Sequence, residues 1–407
     1  MRLDEAALLR RVNELARIGT GPDGGVSRPG FSAADRAAID YVAGEARRGG
    51  LDARVDPAGN LLLGREPFGT RPSLVMGSHL DTVHNGGRLD GAYGVLAALA
   101  VVEALIVDPR ALEPVAVAFA NEEGALYPQP FWGSTAFAGG AERLACDPVD
   151  REGRSLREPL RQVGGDLDAV AAAAWPDGTV AAYLELHIEQ GPVLEQAGIP
   201  IGVVESIVGR HVFEVEVTGR AGHAGTTPME YRRDALVGAA GLVTAVRDIA
   251  AEHRHCRVAT TGALHVQPGD TNVVPGSVRL TTEVRDTSQD RLDAAERALR
   301  REAARLADAT GCRFEVRRTM RVAPVSTDPG LADLIATAAK ESGYATTTLP
   351  SGAGHDAQIV AGIAPIGMIF VPSRDGLSHT PAEDTAPDDL VAGARVLLAC
   401  AKRLCSG

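Results

Sequence analysis

Cysteine pairing is the first thing this sequence lacks. Its five cysteines (Cys146, Cys256, Cys312, Cys400 and Cys405) are odd in number and scattered, and none forms a Cys-x-x-Cys pair. That argues against a disulfide scaffold and against a cysteine-based zinc or redox site. Basic charge is the second deficit: 41 Lys+Arg stand against 53 Asp+Glu, for a formal net charge of −12. Without a basic field or a local Lys/Arg run, neither nucleic acid nor an anionic membrane surface is expected as a partner. Long hydrophobic runs are missing too. The longest, Val95 to Val107, is interrupted by Glu103 and falls short of the roughly 20 residues a membrane helix needs. The first residues carry Leu8, Val12, Leu15 and Ile18 at helical spacing among Arg and Glu, which predicts an amphipathic helix and not the apolar core of a signal peptide. A cytoplasmic protein is expected.

What is present is ordinary globular composition. The chain has 407 residues, 45% hydrophobic and 23% charged, enough for two or three domains of roughly 100 to 200 residues. From residue 70 onward an apolar run (Leu74 to Met76), a polar loop, a helical stretch (Gly94 to Leu105) and a second apolar run (Val115 to Ala120) read as a βαβ unit. Ala181 to Ile188 and Ile363 to Val371 read as further strands, and Leu390 to Leu404 as a closing helix. The pattern predicts an α/β fold with a mostly parallel sheet. Between these lie a strand-like alternation at His211 to Thr218, a helix at Asp234 to Ala250, a strand at Ser277 to Arg285 and a helix at Asp290 to Ala309. This block, 208–322, is expected to be a smaller α+β domain inserted into a discontinuous larger one, 1–207 with 323–407.

In an open α/β sheet ligands collect where loops leave the carboxyl ends of the strands. The polar residues there are rich in imidazole and carboxylate: Gly77-Ser78-His79-Leu80-Asp81 after the first run, Asp90-Gly91 before the next helix, and Asn121-Glu122-Glu123-Gly124 after the second run. His187 and Glu189 follow on the third strand, and Ser378-His379-Thr380-Pro381 after the last. Such donors suit zinc and its first-row neighbours, and an aspartate able to bridge two ions allows a pair about 3.5 to 4 Å apart. Residues i and i+2 of an extended segment point the same way, so Asp81 is expected to accept a hydrogen bond from the back of the His79 ring. Of Glu122 and Glu123, one can bind metal while the other serves as general base; residue types alone do not say which.

The segments Gly-Ser-His-Leu-Asp-Thr-Val (77 to 83), Asn-Gly-Gly-Arg-Leu-Asp-Gly (85 to 91), Asn-Glu-Glu-Gly (121 to 124), Glu-Leu-His-Ile-Glu-Gln-Gly-Pro-Val-Leu-Glu (185 to 195), Gly-His-Ala-Gly-Thr-Thr-Pro-Met (222 to 229), Ser-Gly-Ala-Gly-His-Asp-Ala (351 to 357) and Ser-His-Thr-Pro-Ala-Glu (378 to 383) occur in this order. Together they resemble the hydantoinase/carbamoylase branch of the M20 metallopeptidase-like amidohydrolases. The resemblance implies a dinuclear metallohydrolase domain with a smaller lid domain used for homodimerisation, and two divalent ions per subunit (Zn, Mn, Co or Ni). It implies that His79, Asp90 and His187 hold one ion and Asp90, Glu123 and His379 the other, with Asp90 bridging. Glu122 would be the general base and Asp81 the partner of His79.

For the substrate, the resemblance points to Arg285 as a grip on a carboxylate, to Asn272 beside it, and to His223 as oxyanion donor, often across the dimer interface. Gln190 and the backbone N–H of Gly354 are further candidates for substrate contact. Lid closure is expected to bring Arg285, Asn272 and His223 onto the substrate. The implied reaction is hydrolysis of the ureido C–N bond of an N-carbamoyl-L-amino acid to the amino acid, CO2 and ammonia. Phe131-Trp132-Gly133-Ser134 resembles some allantoate amidohydrolases, which makes allantoate the alternative substrate alongside a β-ureidopropionase-type reaction. Where many relatives have a small residue and Arg-Phe after Glu-Glu-Gly, this chain has Ala125-Leu126-Tyr127. Remoter readings are an M20 aminoacylase or dipeptidase and a non-catalytic binding protein.

Overall fold

The computed structural model describes residues 2–106 and 111–406; Val107, the end of the apolar run noted above, lies outside them. Contacts divide the chain into two compact units, one running to Glu205 and resuming at Ser326, the other spanning Ser206–Val325.

In the larger unit the sheet runs in the order Asp52–Val55, Leu61–Gly64, Glu113–Phe119, Ser73–His79, Val180–Ile188, Ile366–Val371, Ile201–Ile207. The four central strands are parallel, and Leu61–Gly64 and Ile201–Ile207 flank them antiparallel. Burial explains the sequence pattern: Ser73–His79 is buried throughout its length. A parallel strand covered on both faces reads as a continuous apolar run and not as an alternation. The crossover helix Ala92–Leu105 joins Ser73–His79 to its parallel neighbour Glu113–Phe119. Its Ala, Val and Leu residues are buried around nearly the whole circumference, the mark of a core helix. Because the central strands point the same way, His79, the Asn121–Gly124 turn, Gln190 and the loop after Val371 all leave the sheet at one edge.

Two sequence expectations shift at element ends. The first helix is Glu5–Leu15, and Ile18 lies beyond it, its carbonyl accepting a 3.0 Å hydrogen bond from the buried Arg28 guanidinium. The last strand begins at Ile366 and not at Ile363, because residues 363–365 form a turn and Pro365 has no N–H for a ladder. No helix among the described residues is long and apolar enough to cross a membrane.

The smaller unit is an antiparallel sheet in the order Arg313–Val322, Gly209–Thr218, Ser277–Asp286, Val258–Gln267. Gly209–Thr218 alternates buried and less buried residues, placing Phe213, Val215 and Val217 in a core with Leu242, Val246 and Leu299. Those last three belong to the helices Ala235–Ala251 and Gln289–Thr310.

Candidate metal centre

The strand Ser73–His79 delivers His79 to the edge of the sheet, and the turn before helix Ala92–Leu105 brings Asp90 up to it. Gly91 makes that approach achievable. Its φ is +64°, and a Cβ there would lie 2.4 Å from Nε2 of His79, so a larger residue would displace the ring. The Asp90 carboxylate then sits among three imidazoles. Oδ1 is 3.1 Å from His187 Nε2 and 3.6 Å from His79 Nε2, while Oδ2 is 3.0 Å from His379 Nε2. Glu123 Oε1 lies 3.2 Å from His379 Nε2, and Glu122 Oε2 lies 3.7 Å from His79 Nε2.

Two triads result, His79–Asp90–His187 and Asp90–Glu123–His379, each offering ligand atoms within 4.8 Å of one another. Four-coordinate zinc with bonds of about 2.0 to 2.2 Å places neighbouring donors roughly 3.3 Å apart, so the nitrogen and oxygen donors of both triads fit divalent cations. The triads differ in exposure: the side chains of His79, His187 and Asp90 are 4%, 1% and 5% exposed, whereas His379 is 50% exposed.

Backbone carbonyls aim the two buried rings. His79 Nδ1 lies 2.9 Å from the main-chain oxygen of Asp81, and His187 Nδ1 lies 2.8 Å from that of Ile188. Each Nδ1–H donates outward and turns Nε2 toward Asp90. The expectation for Asp81 thus needs correcting: its carboxylate is 3.8 Å from His79 Nδ1, too far for a hydrogen bond. It accepts instead from the backbone N–H of Glu122 at 3.0 Å and of Glu123 at 3.1 Å. Asp81 therefore fixes the Glu-Glu turn, while its carbonyl fixes the ring. Positive φ values cluster here as well, with Asn121 at 53°, Gln190 at 57° and His379 at 59°, the backbone strain typical of a working site.

The charges balance internally. Burial opposes a charged His79, but Glu122, Asp90 and Asp81 outweigh it and hold its pKa well above the usual imidazole value. Hydrogen bonds that its ring N–H donates to Asp90 and Glu123 raise the His379 pKa to about 10. Burial likewise disfavours the Asp90 carboxylate, yet His187, His379 and His79 hold its pKa well below the ordinary range. Glu122 behaves oppositely: burial pushes its pKa well above that of a free carboxyl, with Glu123, Asp356 and Asp81 adding to the effect against His79. A carboxyl is the kind of group that can take a proton and return it in acid–base chemistry.

A buried polar layer behind the triads was not picked out by sequence reasoning. Glu185 accepts from Ser78 Oγ at 2.8 Å, Tyr183 OH at 3.1 Å and Ala357 N at 2.9 Å. His355 packs edge-on against the His187 ring, 4.7 Å between centroids, with its Nε2 2.8 Å from Ser351 Oγ. Glu185 stands two residues before His187 on one strand and so shares its face, a signal open to the sequence. Glu189, in contrast, turns away and caps the helix Val193–Ala197 through the N–H groups of Val193 and Leu194.

The substrate candidates fall in several places. Gln190 Nε2 donates to Asp90 Oδ2 at 2.9 Å and to Ser378 Oγ at 3.1 Å, so it belongs to the centre. Gly354 lies against Phe131, whose Cζ is 2.9 Å from where a Cβ at residue 354 would stand. In the smaller unit His223 is exposed. Its Nδ1 accepts from Gly225 N at 3.0 Å and Thr226 N at 3.3 Å, which leaves Nε2–H outward as a donor. Asn272 adjoins it, with Ala224 N donating to the Asn272 carbonyl at 2.9 Å.

Arg285 is elsewhere. It lies toward the Asp286 end of its strand and grips Glu283 at 2.9 Å, whereas the His223 loop packs beside Gly276 at the opposite end. Eight strand residues at 3.3 Å each separate these ends by on the order of 20 Å or more. Within a single chain these ends are too far apart for one small substrate to touch Arg285, Asn272 and His223 together. Trp132 of the allantoate-like segment is core: it is 1% exposed, and its Nε1 donates to Ala58 O at 3.0 Å.

Comparison with known proteins agrees with this geometry. Residues 75–403 match the model of peptidase family M20/M25/M40. An N-carbamoyl-L-amino acid amidohydrolase of Geobacillus stearothermophilus is 41% identical over 98% of both chains, and an allantoate amidohydrolase of Bacillus subtilis is 35% identical over 95% of this chain and 94% of its own. A hydantoinase/carbamoylase family amidase from Burkholderia multivorans superposes with a TM-score of 0.89 at 35% identity, covering 100% of this chain and 99% of that one. The chain belongs to the M20/M25/M40 family, and its full-length likeness is to the hydantoinase/carbamoylase amidases within it.

Proposed function

We propose that this protein hydrolyses the ureido C–N bond of N-carbamoyl-L-amino acids, releasing the amino acid, carbon dioxide and ammonia. The observation that carries the reading is the pair of triads sharing Asp90, with Glu122 beside them, in a chain 41% identical over its length to an N-carbamoyl-L-amino acid amidohydrolase. His79, Asp90 and His187 would hold one divalent ion, and Asp90, Glu123 and His379 a second. Zinc, manganese, cobalt and nickel all suit these donors. When bound, such ions supply Lewis acidity, which a ureido carbonyl needs because two nitrogens donate into it. Glu122 takes the proton of the attacking water and returns it to the leaving nitrogen. Asp81 keeps that carboxylate in place through the two N–H bonds it accepts.

The Nε2–H of His223 is a donor suited to a developing oxyanion, and Arg285 can pair with the substrate carboxylate. Because these groups lie too far apart in one chain, the reading includes a homodimer in which two copies contribute to each substrate site. The larger unit is then the catalytic domain and the smaller one the lid and dimerisation domain.

Allantoate is the second reading, favoured by the 35% full-length identity to an allantoate amidohydrolase. Trp132 is buried, so core packing is enough to account for it. The test is ammonia release from N-carbamoyl-L-amino acids, N-carbamoyl-β-alanine and allantoate by chelated protein with and without added Mn, Co, Ni or Zn. Metal-dependent turnover of a carbamoyl-L-amino acid is the expected result. Turnover of allantoate alone would replace the first reading by the second. If N-acetyl amino acids alone were cleaved, seen as free amino acid, an aminoacylase would take its place.

A further inference from the structure

Glu383 and Ser378 take no part in the scheme above, yet they are tied to its central aspartate. Glu383 is 3% exposed. Its Oε1 accepts from Leu89 N at 2.8 Å and Asp90 N at 3.1 Å, and its Oε2 accepts from Ser378 Oγ at 2.8 Å. The carboxylate lies directly over Gly87, where a Cβ would come within 2.0 Å of Oε1, so that position leaves room for it only as glycine. Ser378 in turn accepts from Gln190 Nε2 at 3.1 Å, and the same nitrogen donates to Asp90 Oδ2 at 2.9 Å. A relay Glu383–Ser378–Gln190 thus starts at the main chain of Asp90 and returns to one oxygen of its side chain.

That oxygen is the one facing His379; the other, Oδ1, faces His187 and His79. The two triads are therefore held differently. The inner one is built from residues at most 5% exposed, with both rings oriented by backbone carbonyls. The outer one relies on a half-exposed histidine at positive φ, and its share of Asp90 is aimed by the relay. We propose that Ser378 and Glu383 are positioning residues that set the affinity of the outer ion, at Asp90 Oδ2, Glu123 and His379, while leaving the inner ion largely independent of them.

The inference rests on the two-ion reading, so the experiment reads ions and not turnover. Chelated full-length protein is titrated with Mn²⁺ or Zn²⁺ against a competing chromophoric chelator, with folding followed by thermal melting. Wild type is expected to bind two ions of unequal affinity. Ser378→Ala, which removes one hydroxyl, and Glu383→Gln, which keeps the shape but has one acceptor oxygen where the Leu89 and Asp90 N–H groups and the Ser378 hydroxyl need two, should each weaken the second ion by about 10- to 100-fold, the usual effect of losing an outer partner of a metal ligand. The first ion should change less than about threefold, and Ser378→Thr should restore the second. A merely structural role would lower the melting temperature without separating the two affinities. Equal weakening of both ions, or no weakening of either, overturns the inference while the two-ion reading stands. A wild-type stoichiometry of one overturns both.

Discussion

Glu122→Gln is expected to lower kcat by roughly 10²- to 10⁴-fold, the range associated with a lost general acid–base, while the protein keeps its fold and its bound metal. The amide fills the same space and leaves intact the N–H bonds that Asp81 accepts from residues 122 and 123. What it removes is the carboxyl that can take up and release a proton at this position. Glu123→Gln should behave differently, because Glu123 faces His379 at 3.2 Å; there the expected loss is in metal content as well as rate. Steady-state kinetics with metal analysis on both variants separates these roles. Equal metal loss in the two would mean that Glu122 is a ligand and not the base.

Arg11→Met should destabilise the protein by about 3 to 5 kcal/mol, the cost typical of breaking a buried ion pair from one side. Arg11 is 6% exposed. It reaches from the first helix to Glu45 at 2.7 Å and grips both oxygens of Glu103 at 2.7 Å, so three helices meet on one guanidinium. Methionine fills the volume but leaves Glu45 and Glu103 to face each other with less compensation. Acid unfolding offers an independent check. Burial opposes the charge on Glu45, but Arg10, Arg48 and Arg11 hold its pKa down to about 2 from an ordinary 4.5. Its stabilisation is therefore complete above pH 4.5 and is lost as pH falls toward 2. In the variant that acid-side loss should shrink. Urea denaturation at pH 7 and pH 3 measures both effects. A change below 1 kcal/mol at pH 7 would place the cluster with solvated surface pairs.

The centre was more legible in the sequence than the frame around it. His79, the Glu-Glu turn and His379 each follow a run of buried parallel strand, and such runs stand out because both faces are covered. Strands such as Asp52–Val55 and Val258–Gln267 were not visible, since they are partly exposed edge strands with weak apolar pattern. The roles within Asp81 were read through the wrong atom. A spacing of two places side chains on one side but says nothing of a backbone oxygen, and here the carbonyl reaches His79 while the carboxylate serves the next loop. Glu383 was hidden for a related reason: its partners are the N–H groups of residues 89 and 90, distant in sequence and featureless in composition. The separation of His223 from Arg285 needed the register of the smaller sheet, which no local pattern encodes.

The order of strands in the larger sheet has a consequence for how the protein is made. Ile366–Val371 lies between Val180–Ile188 and Ile201–Ile207, and it is followed by the loop that carries His379. On the ribosome both neighbours emerge long before it, as does the whole smaller unit, whose sheet and helices form a core of their own. Until the last strand arrives, Val180–Ile188 presents an open, apolar edge, and the half-built sheet holds His79, Asp90 and His187 but not His379. A sheet lacking that strand would carry the kind of unpaired apolar edge that promotes aggregation. The final segment closes the gap and brings His379 to Asp90 and Glu123 in one step.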